Sequence, residues 1–169
     1  MATINAYHIR DAEESDVDTL LQLIIDLAIY EKEPDAVKAT PELLRKNLFE
    51  TPYARALLAF AGTVEAPGEP VGIALYFFNY STWTGRPGLY LEDLFVKAEY
   101  RSLGIGKAFF NRLGAIAQSK DCARLDWAVL KWNQPSIDFY EKRLGAKPMS
   151  EWVGMRLDES GIEDLKNLV

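Results

Sequence analysis

Glu92 and Asp93 are consecutive carboxylates inside an apolar run, Leu91 to Val96, that reads as a strand. Burying charge is costly, so an acid pair there points to proton transfer or to a cationic ligand. Successive strand residues face opposite ways, which leaves Asp93 open to a purely structural role. The chain then continues Arg101-Ser102-Leu103-Gly104-Ile105-Gly106-Lys107, a glycine-punctuated turn opening a helix whose apolar positions are Phe109, Phe110, Leu113, Ile116 and Ala117. Such a turn is an anion site. Free N–H groups of the first helical turn and the positive end of the helix dipole face the ligand, and Gly104 and Gly106 let a phosphate come close. A dinucleotide fingerprint would need glycine where Phe109 stands, and a P-loop would need Ser or Thr where Ala108 stands, so both are excluded. A further polar segment, Lys131-Trp132-Asn133-Gln134-Pro135-Ser136, opens a helix that places Tyr140 on the same face as Ser136.

These residues need a scaffold, and the patterning supplies one. A strand is expected at Tyr7–Asp11, then a helix capped by Ser15 and running to Tyr30. Thr40-Pro41-Glu42 starts a second helix through Phe49. Ala54–Val64 and Val71–Tyr80 form an antiparallel hairpin about Ala66–Pro70, and after a loop at Ser81–Gly88 the strand Leu89–Val96 joins them. The remaining elements are the glycine-turn helix to Lys120, a strand at Arg124–Leu130, a helix at Pro135–Arg143, a last strand at Trp152–Leu157, and a closing helix to Leu168 with Ser160 and Glu163 as a capping box. This is an α/β fold with a central mixed, mostly antiparallel sheet flanked by helices.

With 169 residues, 49% of them hydrophobic, one domain over 1–169 is expected. The net charge of −6 argues against a nucleic-acid partner and suits a cationic small molecule. The single Cys122 forms no internal disulfide and is expected to be a small, partly buried residue, not a nucleophile, in a reducing cytoplasmic setting. The opening residues do not read as a signal peptide. Leu20–Tyr30 is interrupted by Gln22 and Asp26, so no membrane association is expected. No metal site is expected, and His8 reads as a strand surface residue.

Arg-x-x-Gly-x-Gly from Arg101 to Gly106, followed by the Asn133–Tyr140 segment, resembles the two cofactor motifs of the Gcn5-related N-acetyltransferases (GNAT). Further strings, Tyr30-Glu31, Ser81-Thr82-Trp83-Thr84-Gly85-Arg86, Tyr90-Leu91-Glu92-Asp93 and Ala128–Gln134, resemble the spermidine/spermine and thialysine acetyltransferase branch. The resemblance implies a GNAT acyl-CoA N-acyltransferase fold, acetyl-CoA as co-substrate, a small polyamine, diamine or thialysine-like acceptor, and a homodimer. It implies cofactor contacts at Leu94, Phe95, Val96, Arg101, Ser102, Leu103, Gly104, Ile105, Gly106, Lys107, Asn133 and Ser136.

An alkylammonium has a pKa near 10.4 and must lose a proton before attacking a thioester. The resemblance gives that task to Glu92, the oxyanion to the backbone N–H of Leu94, and protonation of the departing thiolate to Tyr140. Around the acceptor it places Glu31, Glu92 and Asp126 as charges, with Tyr30, Trp83, Trp127 and Trp152 as aromatic walls. Trp83 and Trp152 serve equally well as dimer contacts, and Asn133 and Ser136 as plain turn and cap residues. Ser102 replaces a frequent glycine and is strained if its φ is positive. A protein lysine or N-terminal acetyltransferase and a non-catalytic acetyl-CoA sensor are the competing readings.

Overall fold

Alternation along β2 (Arg55–Gly62) sends Leu57, Ala59 and Ala61 to one side and Ala56, Leu58 and Phe60 to the other, and both sets are buried. A strand apolar on both faces needs cover on both. In this computed structural model, which describes residues 6–168, the chain divides into two compact units, Met1–Ala128 and Val129–Val169.

The first unit is built on a sheet in the order β1 (Tyr7–Asp11), β2, β3 (Pro67–Ser81), β4 (Arg86–Val96) and β5 (Arg124–Trp127). The first three pairings are antiparallel and β4–β5 is parallel, which is the mixed, mostly antiparallel sheet expected. On one face lies α1 (Val17–Tyr30), whose Val17, Leu20, Leu23 and Leu27 follow helical spacing and bury against Leu58, Phe60, Ile73 and Phe95, joined by Leu44 of the short α2 (Pro41–Arg45). On the other lies α3 (Ile105–Ser119), with Ile105, Phe109 and Leu113 against Leu57, Ala59, Ala74, Leu89 and Leu91. Phe109 comes so close to the sheet because β3 offers Gly72 there. A Cβ on Gly72 would lie 2.7 Å from the Phe95 carbonyl oxygen and 3.2 Å from the Phe109 ring.

The α1 start differs from expectation. Ser15 sits inside a 3₁₀ turn, Glu14–Asp16, and the organising residue is Asp16. Its carboxylate accepts the Glu13 N–H at 2.8 Å and two bonds from the Arg10 guanidinium at 2.6 and 2.8 Å, tying β1 to the helix. Those bonds hold the Asp16 carboxyl below its usual range. Thr40 caps α2 as the sequence implies, accepting the Leu43 N–H, with Pro41 in the first turn.

The second unit carries α4 (Gln134–Leu144), capped by Asn133 and closed by Gly145 at φ 71°, and α5 (Glu159–Asp164). The cap of α5 is Asp158, which accepts the Gly161 N–H and the Ser160 hydroxyl, so the Ser160–Glu163 box is corrected. The strand expected at Trp152–Leu157 is not formed. Trp152, Val153, Met155 and Leu157 are instead exposed, and the segment joins none of the five strands of the described sheet, so neither a ladder nor apolar burial makes it a strand.

Candidate active site

Register between β3 and β4 fixes where the two acids go. Leu75 opposes Asp93 and Tyr76 opposes Leu91, so Glu92 is the extra residue of a β-bulge. The bulge inverts the alternation. Before it Leu89 and Leu91 face α3; beyond it Leu94 and Val96 do so, which turns Asp93 and Phe95 toward the α1 face. Glu92 is exposed at the kink, whereas Asp93 is half-buried. Burial first, then the negative charges of Glu92 and Glu31, push the Asp93 carboxyl up to about 6. Burial also raises Glu31. Sequence reasoning gave Asp93 the lesser part; the signal that distinguishes it is the bulge, which requires knowing the pairing register.

The linkage has a definite sign. A carboxyl whose folded pKa lies above its unfolded value of 3.8 destabilises the fold once ionised, so the penalty is absent below pH 4 and complete above about pH 7. The whole shift corresponds to roughly 3 kcal/mol, and the partly exposed side chain reduces that. Asp93→Asn is therefore expected to stabilise the protein by roughly 1–2 kcal/mol at pH 8 and hardly at all at pH 4. Denaturant titrations at the two pH values measure this.

The parallel pairing of β4 with β5 runs from Gly88 opposite Arg124 to Leu91 opposite Trp127 and stops there. Residues 92–96 of β4 thus have no β5 partner among the described residues, and the strand presents an open edge beside the acids. After β4 a 3₁₀ turn, Ala98–Tyr100, leads into the glycine turn. Gly104 takes φ 89° and forms the N-terminus of α3, with no side-chain cap and no acidic residue in the first turn. That end of a fifteen-residue helix keeps its positive dipole for an outside anion. Ser102 adopts φ 65°, the left-handed conformation that strains a non-glycine residue. Ser102→Gly is expected to gain about 0.5–1 kcal/mol, read as a higher midpoint in thermal unfolding.

Arg101 is held in place. Its Nε donates to the Val96 carbonyl at 2.9 Å, and its guanidinium lies 4.4 Å from the Tyr30 ring centroid and 5.8 Å from that of Phe95. Tyr30, the last residue of α1, is followed directly by Glu31. Acids and loop arginine thus share neighbouring positions on two elements.

Other residues fall differently. Trp127 packs edge-on against Phe110 at 5.2 Å and is partly buried against the α3-side core. Asp126 is engaged with Arg124 of its own strand at 2.9 Å. Ile105 is buried, so only its backbone is available to a ligand. Leu103 and Lys107 are exposed on the glycine turn. Trp83 is 88% exposed in the β3–β4 turn. Cys122 is partly buried, and burial raises its thiol pKa, as suits a residue without nucleophilic duty. His8 stacks on Phe60, 5.4 Å between centroids, and is half-buried on β1.

In the second unit Asn133 is buried and its side chain accepts the Ser136 N–H at 3.4 Å, the cap geometry of α4. Tyr140 stands one turn beyond Ser136, its ring 5.6 Å from that of Phe139. Its carbonyl accepts the N–H groups of Gly145 and Ala146 where the helix ends.

Among the described residues no helix is long and apolar enough to cross a membrane. A family model described as the acetyltransferase (GNAT) family matches residues 20–146. The thialysine N-epsilon-acetyltransferase of Bos taurus is 43% identical over 166 residues, 93% of this chain and 95% of its own. The spermidine/spermine N(1)-acetyltransferase-like protein 1 of Homo sapiens is 36% identical over 169 residues, covering 98% of this chain and 24% of that longer protein. Among solved structures, an integron cassette protein from the mobile metagenome of V. cholerae superposes with a TM-score of 0.77 at 24% identity, over 95% of this chain and 97% of that one, which establishes the fold. The chain belongs to the acetyltransferase (GNAT) family and is an N-acetyltransferase.

Proposed function

We propose that this protein moves acetyl from acetyl-CoA to the primary amine of a small cationic acceptor, a polyamine, diamine or thialysine-like amino acid, by direct attack in a ternary complex. The observation that carries this reading is the placement of Glu31, Glu92 and Asp93 on elements adjoining the Arg101–Gly106 turn. The turn suits a phosphate-bearing co-substrate, since the α3 N-terminus is uncapped and free of acids. Acetyl-CoA supplies an activated acyl group; everything else falls to the chain.

In this reading the N–H groups of the turn and the Arg101 and Lys107 side chains hold the phosphates, and the open edge of β4 from Leu94 to Val96 lies along the extended arm. Asn133 and Ser136 complete the cofactor contacts. Glu31 and Asp93 draw in the ammonium. Glu92, exposed at the bulge, takes the proton that the amine must lose, directly or through water. The Leu94 N–H meets the charge developing on the acetyl oxygen, and Tyr140 protonates the departing sulfur. Holding amine and thioester together supplies much of the remaining rate. Trp83 and Trp152 are kept as acceptor walls or contacts in a homodimer; the exposed Trp152, Val153 and Met155 support the dimer. A reducing cytoplasmic setting, no metal and one catalytic domain across 1–169 belong to the same reading, and the family match across residues 20–146 supports the last.

The test is a comparison of kcat/KM for thialysine, lysine, spermidine, putrescine and a histone-tail peptide. Small aliphatic amines are expected to exceed the peptide by at least about tenfold, since several acids there suit a compact cation. A peptide preference would replace this reading with protein acetylation. Tight CoA binding with no turnover on any amine would favour the sensor.

A further inference from the structure

We propose that Tyr30 is a positioning residue for the co-substrate side of the reaction: its ring, together with Phe95, holds the Arg101 guanidinium ready for an anion. This rests on the reading of the Arg101–Gly106 turn as the phosphate site. The resemblance puts Tyr30 around the acceptor, whereas the geometry couples it to the turn. The guanidinium lies 4.4 Å from the Tyr30 centroid and 5.8 Å from the Phe95 centroid, and the two rings are themselves 6.4 Å apart and tilted by 50°.

Arg101 is an exposed residue at the start of a loop, and alone it would sample many rotamers. Three contacts restrict it. The Nε–H is spent on the Val96 carbonyl, the guanidinium lies over aromatic surface, and the rings are anchored, Phe95 in the core and Tyr30 at the end of α1. The terminal nitrogens carry no protein hydrogen bond among the described residues, so their donors remain for a ligand. A guanidinium held over aromatic rings and tied at Nε keeps its two terminal nitrogens for a ligand, and such a planar fork suits paired phosphate oxygens.

Isothermal titration of CoA, which needs no turnover, tests this on the wild-type protein, Tyr30→Phe, Tyr30→Leu, Arg101→Met and the Tyr30→Leu/Arg101→Met double variant. Tyr30→Phe keeps the aromatic face and is expected to bind CoA within about twofold of wild type, while Tyr30→Leu weakens binding about three- to tenfold. Arg101→Met should weaken it about tenfold, and the double variant no more than about twofold beyond that, because the ring acts through the guanidinium. In kinetics Tyr30→Leu raises the KM for acetyl-CoA and leaves that for the amine near wild type. Circular dichroism melting checks that the leucine variant is folded, and the phenylalanine variant provides the rescue. Losses that multiply in the double variant, or a Tyr30→Leu protein with wild-type CoA affinity and only a raised amine KM, would overturn the inference and leave the acetyltransferase reading standing. A wild-type protein that binds no CoA would overturn both.

Discussion

Glu92→Gln is expected to lower kcat by about 10²- to 10³-fold while leaving the affinity for CoA unchanged, as steady-state rates and direct titration of the variant would measure. The bulge is the reason. It lifts Glu92 out of the strand alternation and leaves it exposed, whereas Asp93 beside it is turned toward the α1 face and partly desolvated. An exposed carboxylate is in reach of water and can hand on the proton it accepts. Asp93, pushed up to about 6, is better suited to meeting a cation, which would itself favour ionisation of the carboxyl. Asp93→Asn should therefore act mainly on the KM of the amine, and the wild-type KM should rise as pH falls through 6 while that of Asp93→Asn stays flat. A larger kcat loss in Asp93→Asn than in Glu92→Gln would exchange the two roles. In the wild-type enzyme kcat/KM should climb further with rising pH, because more of the amine is then free of its proton.

Phe109→Ala is expected to cost about 3–5 kcal/mol of stability, visible as a large drop in the chemical denaturation midpoint. The ring is fully buried and fills the space over Gly72, with neighbours from β2, β3, β4 and α3. Little can collapse into the cavity, since the sheet beneath is a paired ladder and Gly72 has no side chain to lend. The loss also reaches function. Phe109 lies one turn beyond Ile105, so it fixes the start of α3 and with it the glycine turn. CoA affinity should fall in this variant even under conditions where it remains folded.

Much of the scaffold was written in local pattern. Helical spacing in Leu20, Leu27, Phe109 and Leu113 marks α1 and α3, Thr40-Pro41 announces α2, and Gly104 marks the turn into α3 because the chain takes a left-handed φ there. What eluded the sequence depends on pairing and on distant neighbours. The bulge at Glu92 exists only in the register between β3 and β4, and the elevated Asp93 only through the burial and charge that follow from it. Arg101 meets Tyr30 across a long stretch of chain, which no window of residues reveals. Ser15 looked like the cap of α1, yet Asp16 prevails because Arg10 on β1 reaches it. Trp152–Leu157 has strand-like composition, but composition without a partner strand does not make a ladder.

The most direct test of the central claim is mass spectrometry of thialysine and of spermidine after incubation with acetyl-CoA and the purified protein. The account predicts that one primary amine of the acceptor gains an acetyl group, matched one for one by free CoA, and that Glu92→Gln and Tyr140→Phe slow both together. CoA released without acetylated amine, or acceptors that stay unchanged while acetyl-CoA binds, would contradict it.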